Sequence, residues 1–418
     1  MRQVLAIAPF RNFWLANLFS NLGTNAYLMA LSWFTVRQYG AVGIGALALG
    51  YGLPQLLLQL IGGSASDRMR RRSLFFCTET GMLLLSLVLL IASLRGIVPL
   101  WLLVVVSAGN GSISAFDSSA RTGLISGMVP QRLVVDAQQI YGLAASITTV
   151  IGPALGGVLL SLGPDMKSHE EYAFLFNTLS FLPLLVCVPF LPCSGAATGA
   201  ARQGLWNSVR EGLRFVRHQR SVRTLLQLLA VVMLLGMPFQ TLLPIFVHSH
   251  LSLQTGHAFY AALLSAVGLG AFAGSLLGVQ LGEKRQPGPA LFLAALGLGF
   301  AILLMCSGRV LHWTSLSVFL AGACGALVVN LDNALVEGLT PMELQGRVSS
   351  IASLSKSFQT ISAAAASGLI HLFSRVNASS GFLEVQVPLA LLLIVGTLIL
   401  RPGVWCLSQP AEPASASA

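Results

Sequence analysis

The sequence predicts an all-α membrane protein of twelve transmembrane helices in two pseudo-symmetric bundles of six. Three observations carry that reading. Apolar runs of about 20 residues, each long enough to cross a bilayer, recur from end to end. Only 9% of the 418 residues are charged and 55% are hydrophobic. A soluble domain carries roughly a quarter charged residues, so a water-soluble fold would lack a polar surface. A motif also recurs at a fixed distance along the chain, as an internal duplication requires.

The runs place spans 1 to 6 near 13–36, 41–63, 74–94, 98–120, 138–162 and 173–192. Spans 7 to 12 lie near 223–247, 258–281, 289–307, 311–335, 350–373 and 385–403. Hydrocarbon offers no partner to a backbone amide, and no run alternates as the strands of a barrel do, so each is expected to be a helix. The 42 glycines and 18 prolines suit helices that pack closely and bend.

The repeat aligns "GLISGMVPQRL", 123–133, with "ALVEGLTPMEL", 334–344. Leu124, Gly127, Pro130 and Leu133 recur as Leu335, Gly338, Pro341 and Leu344, each 211 positions on. At the same offset "GPALGG", 152–157, meets "AAAASG", 363–368. The expected domains are a six-helix bundle at 1–192, a linker at 193–222, a second bundle at 223–403 and a tail at 404–418. In the linker, Leu205, Val209, Leu213 and Val216 recur at helical spacing among Arg210, Arg214 and Arg217, the pattern of an amphipathic helix on the membrane surface.

With the N-terminus inside, 19 of the 24 lysines and arginines fall on the cytoplasmic side, leaving Arg37, Arg95, Lys167, Arg309 and Arg375 outside. Both termini are therefore expected in the cytoplasm. The same asymmetry, facing anionic inner-leaflet lipid, accounts for the net charge of +10 without a nucleic-acid partner. The first apolar run is too long for a cleavable signal and holds three asparagines. The six cysteines have no metal-ligand spacing, and His248, His250 and His257 share a loop without a Cys or Asp partner pattern, so neither metal nor cofactor is expected. No HExxH, serine elbow or paired-cysteine motif points to an enzyme.

Charge is concentrated in "GGSASDRMRRR", 62–72, between spans 2 and 3. It reads Gly63, three residues, Asp67, Arg68, two residues, Arg71, Arg72. This resembles the signature loop of the major facilitator superfamily. "FRNFWLANLFSNLG" at 10–23, "GPALGG" in span 5 and "LTPMELQGRVSSI" at 339–351 resemble its bacterial drug and siderophore exporter branch, which includes macrolide-efflux and enterobactin-exporter-like proteins. The resemblance covers nearly the whole chain. It implies the major facilitator fold, a monomer in the bacterial inner membrane, and export of a bulky amphiphilic small molecule by proton antiport and alternating access. It also implies a gating role for Gly63, Asp67, Arg68, Arg71, Arg72, Asp117 and Arg121, with Arg71 meeting Asp117. Gly346 and Arg347 are counted with them. Gly152, Pro153, Gly156 and Gly157 resemble the core of the family's antiporter motif.

In this family spans 1, 4, 7 and 10 line the cavity. Asn17, Asn21 and Asn25 lie four apart on one face of span 1. With Asn110, Gln240 and Asn330, they face either cargo or neighbouring helices. A neutral, amide-rich cavity suits a siderophore or drug-like molecule. Proton coupling needs a group that titrates as access alternates, and the acids within spans are Glu79, Asp117 and Asp332. Asp332, with Lys356 as its partner, is the first choice for the proton, Glu79 a further candidate, and a permanently ionised structural pair the alternative. The rival classes are a lipid- or lysolipid-moving member of the same superfamily, a membrane-embedded enzyme and a non-transporting sensor.

Overall fold

The computed structural model describes residues 2–68, 71–162, 169–191, 205–250, 256–282, 287–308, 311–374 and 381–405. All twelve expected spans fall on helices. Among the described residues, 10 helical stretches are long and apolar enough to cross a membrane, and the first, Ala8–Gln59, holds two of those spans.

Helix α1 (Ala8–Arg68) carries spans 1 and 2, parted at Gly40 by a non-helical φ of 60° and ψ of −150°. Glycine adopts this left-handed backbone without the penalty a Cβ brings. Nothing lies within 4 Å of where that Cβ would stand, so conformation rather than crowding selects the residue. Helices α2 (Arg71–Leu94), α3 (Leu100–Met128), α4 (Val134–Ser161) and α5 (Glu170–Cys187) carry spans 3 to 6. The linker helix is α6 (Leu205–His218). Span 7 is α7 (Arg220–Val231), a π turn at Val232–Gly236 and α8 (Pro238–His250). Helices α9 (Gly256–Gly282), α10 (Gly288–Ser307), α11 (Leu311–Leu339), α12 (Met342–Ser374) and α13 (Gly381–Trp405) complete the chain. The duplication reappears here: α3 and α11 are each 29 residues long, and their first and last residues stand 211 positions apart.

The helices gather into two compact units. The first comprises Met1–Arg202, Gln240–Gly268 and Ala363–Phe382, which adds α8, the start of α9 and the end of α12 to the first bundle. In it α1 and α3 meet backbone to backbone, since a Cβ on Gly111 would lie 2.1 Å from the Tyr51 carbonyl oxygen. Helix α4 seats on α1 through Gly152 and Gly156, whose added Cβ atoms would stand 2.4 Å from the Asn25 Cβ and 2.8 Å from the Ala26 carbonyl oxygen. Gly157 turns instead to Ala261 of α9, at 2.6 Å. Lipid tails give no hydrophobic drive for helix association, so close packing and interhelical hydrogen bonds hold such contacts. One set of those bonds joins α2 to α5, where the Asn177 amide donates to Ser86 Oγ at 3.0 Å and Ser86 and Thr178 hydroxyls pair at 2.9 Å.

The second unit comprises Gln203–Phe239, Leu269–Ser362 and Leu383–Ala418. Here α9 crosses α11 at Gly270 and Gly274, which bring would-be Cβ positions within 2.0 Å of the Phe319 and Ala323 carbonyl oxygens. The break in span 7 has a local cause. Pro238 has no N–H and its ring displaces the carbonyl four residues back. That Leu234 carbonyl accepts from the Ser362 hydroxyl, so α12 supplies the donor the helix lost, and the Gln359 amide of α12 also donates to the Met237 carbonyl at 3.3 Å.

Candidate functional site

Ionisable groups inside a membrane are costly unless paired, so the buried ones locate the candidate machinery. In the first unit, α3 presents Asp117 and Arg121 one turn apart, where side chains at i and i+4 meet. Arg121 Nη2 donates to Asp117 Oδ2 at 2.8 Å and to Glu79 Oε1 of α2 at 2.6 Å. Its Nε donates to Asp117 Oδ2 at 3.0 Å, and Nη1 donates to Asn17 Oδ1 of α1. The Thr78 hydroxyl donates to Asp117 Oδ1 at 3.0 Å. The guanidinium also lies 5.0 Å from the centre of the Phe75 ring. Buried Phe13, Phe75, Ala120, Leu124 and Ile125 belong to the apolar core here. The planar fork of arginine explains how one side chain serves three helices at once. Glu79 Oε2 and Asn17 Nδ2 have no hydrogen-bond partner.

The resemblance implies that Arg71 meets Asp117. The structure instead has Arg71 Nη1 donating to the Gly123 carbonyl at 3.1 Å, with Arg121 on Asp117. Arg121 sits on the same helix as the acid, so it arrives pre-aligned. Arg72 Nη1 donates to the Leu191 carbonyl at 3.3 Å. Gly63, Asp67 and Arg68 lie in the last turns of α1, and Gly346, Arg347 and Lys356 lie on α12. Their side-chain surroundings lie outside the described residues.

Of the six expected cavity amides, Asn330 belongs to the second unit and the other five to the first. Asn17 is buried against Arg121. Asn25 donates to the Asn21 carbonyl at 2.8 Å and Asn110 to the Val106 carbonyl at 3.1 Å, each within its own helix. Asn330 on α11 donates to Ser275 Oγ of α9 at 2.8 Å. Asn21, Asn110 and Gln240 are half-buried, and Asn330 is exposed.

In the second unit Asp332 is fully buried and neither carboxylate oxygen has a hydrogen-bond partner. Sequence reading missed its relation to the first bundle. The 211-residue offset that superposes α3 on α11 lays Asp332 on Arg121 and the fully buried Val328 on Asp117. One half therefore has an arginine one turn from an acid where the other has an acid one turn from a valine. The signal was two residues upstream of the aligned motif.

At the Gly40 end of the first unit, Arg37 lies 3.7 Å from Glu170, and Trp33 stacks on Tyr260 at 6.0 Å. His257 Nε2 hydrogen-bonds Ser161 Oγ at 3.0 Å and His248 stands edge-on to Trp33. Among the described residues no three His, Cys, Asp or Glu side chains are placed to hold a metal ion.

Residues 3–401 match the family described as transmembrane secretion effector. The chain is 24% identical over 342 residues to YfiS of Bacillus subtilis (strain 168), an MFS-type transporter, covering 79% of this chain and 78% of that one. It is 25% identical over 344 residues to the enterobactin exporter EntS of Salmonella choleraesuis (strain SC-B67), covering 81% and 80%. A bacterial homologue of the human lysosomal transporter Spinster, solved inward-facing and unoccupied, shares the fold at TM-score 0.71 and 12% identity, covering 95% of this chain and 96% of that one. With the family match running nearly from end to end of a chain of long apolar helices, the chain belongs to the transmembrane secretion effector family of the major facilitator superfamily and is a multi-pass membrane transporter.

Proposed function

We propose that the protein is a monomeric exporter of a bacterial inner membrane that moves a bulky amphiphilic molecule, siderophore or drug-like, out of the cytoplasm in exchange for protons. The observation that carries the coupling is Asp332, a carboxylate with no exposure and no hydrogen-bond partner. An ionised carboxylate in that setting is far costlier than the neutral acid, so its charge follows water access as the transporter alternates. Outward transport is supported by the secretion family and by a relative named as an enterobactin exporter. Half-buried Asn21, Asn110 and Gln240 and exposed Asn330 leave neutral polar surface for cargo rich in carbonyl and hydroxyl groups. The arginine-rich ends, with Arg71, Arg72 and Arg121, face the cytoplasm, as do both termini.

Proteoliposomes with an imposed pH gradient test the reading. A fluorescent amphiphilic dye and a hydroxyl-rich iron chelator are offered in parallel. The expected result is accumulation of one or both only while the gradient lasts, abolished by a protonophore. Movement indifferent to the gradient, or transfer of a lysolipid in place of both probes, overturns it.

A further inference from the structure

The cluster of Asn17, Glu79, Asp117 and Arg121 belongs to one bundle, and its chemistry does not depend on what the protein carries. Its charges do not balance. From α3, Arg121 brings one positive charge and Asp117 one negative; Glu79 of α2 faces both. The remaining neighbours are neutral: the Asn17 amide from α1, the Thr78 hydroxyl from α2 and, beside Arg121, the Tyr141 phenol from α4. With both acids ionised the cluster would hold an uncompensated negative charge in an apolar core.

The two acids are not equivalent. Asp117 is served as an ionised carboxylate requires, with Thr78 donating to Oδ1 and Arg121 donating twice to Oδ2. Glu79 has a side-chain exposure of 0% and accepts on Oε1 alone, with no partner for Oε2. A buried anionic oxygen without a donor costs far more than a neutral hydroxyl in the same place. We propose that this cluster is a proton-binding site, in which Glu79 holds the proton on Oε2 as a neutral acid while Asp117 remains ionised against Arg121. Release converts the acid to carboxylate plus one proton, and the Arg121 Nη2 contact at 2.6 Å is already in place for the new charge. The step then needs only that water reach Oε2. Since Arg121 ties α1, α2 and α3 together, the proton is felt on three helices at once.

Infrared difference spectroscopy on the purified intact protein, in detergent and without cargo, reads the acid directly, because a protonated carboxyl has a carbonyl band that a carboxylate lacks. Measurements in the Asp332→Asn background remove the buried acid of the second unit, so the outcome is independent of the antiport reading, and the loss of the band in Glu79→Gln separates Glu79 from buried Glu170. An acid band at neutral pH that disappears on alkalinisation is expected, absent after Glu79→Gln. It should also be absent after Asp117→Asn, where Arg121 is left to pair with an ionised Glu79. A band that survives Glu79→Gln, or no acid band in the background protein, overturns the proposal. Thermal unfolding gives a second reading that does not need Asp117→Asn to fold. Glu79→Gln copies the neutral acid but has no proton to lose on unfolding, so it should melt above the parent at neutral and alkaline pH and converge with it only at acidic pH, where the unfolded parent also keeps Glu79 protonated. A lower melting temperature for Glu79→Gln at neutral pH, as the loss of an ionised partner gives, also overturns it.

Discussion

Arg121 divides its donors among three acceptors on three helices, and that geometry belongs to a guanidinium rather than to a positive charge alone. An ammonium at the same position is a point donor on a flexible stem and cannot span Asn17, Glu79 and Asp117 together. Arg121→Lys should therefore lower stability by roughly 2 kcal/mol for each charge-assisted hydrogen bond it fails to remake. Arg121→Met should lower it further, since truncating one member of a buried ionic set leaves the remaining charge uncompensated, at about 3–5 kcal/mol. Thermal unfolding in one detergent ranks the three proteins, and equal melting of Lys and Arg forms would show that charge alone suffices. The sequence made these ionisable side chains visible as rare events in apolar spans, but not how they pair. In the sequence Arg71, Arg72 and Arg121 all flank the adjoining ends of spans 3 and 4. Which of them meets Asp117 is decided by a one-turn spacing within α3 and by the crossing of α1 and α2, neither of which a linear motif records.

Helices were the most legible level, because each span must be apolar over its own length and nothing else in the chain is. The two expected spans inside α1 were separable by sequence although a single glycine divides them, since Arg37, Gln38 and Tyr39 interrupt the apolar run before Gly40. The π turn in span 7 was not foreseen. Its cause is local, Pro238 removing the bond to the Leu234 carbonyl, but the repair is tertiary, made by the Ser362 hydroxyl of a distant span. The linker helix α6 shows what pattern can do alone. Leu213 is 59% exposed, and Arg214 and Arg217 are exposed beside it, an apolar side chain flanked by cations as in a helix that lies on a membrane surface. A spin label at position 213 should be accessible to dissolved oxygen and shielded from a water-soluble relaxer in liposomes, and one at 214 should show the reverse. Equal accessibility at the two positions would place α6 in water.

The 211-residue repeat relates two parts of the chain that differ in charge at one equivalent place. The same 211-residue step that leaves α3 and α11 with matching lengths puts Arg121 and Asp332 at equivalent places. The first is held by partners on three helices, and the second has no hydrogen-bond partner. Symmetric scaffolds rock most simply when both halves respond alike, so an unpartnered acid in one half and a bonded arginine in the other gives the two halves different sensitivities to water and protons. Under the proposed antiport, a change of charge at Asp332 would alter the energy of one half alone and so would bias one access state over the other. Asp332→Asn fixes that half in its neutral form. It should abolish accumulation of cargo against a gradient, because no proton then moves with the conformational cycle. It should leave cargo-for-cargo exchange across proteoliposome membranes within a few-fold of the parent, because exchange requires the cycle but no net proton. The pH dependence of cargo binding should flatten in the same variant. Uphill transport with an unchanged pH profile would make Asp332 a structural residue and transfer the coupling to the first bundle, where Glu79 is the acid without a second hydrogen bond.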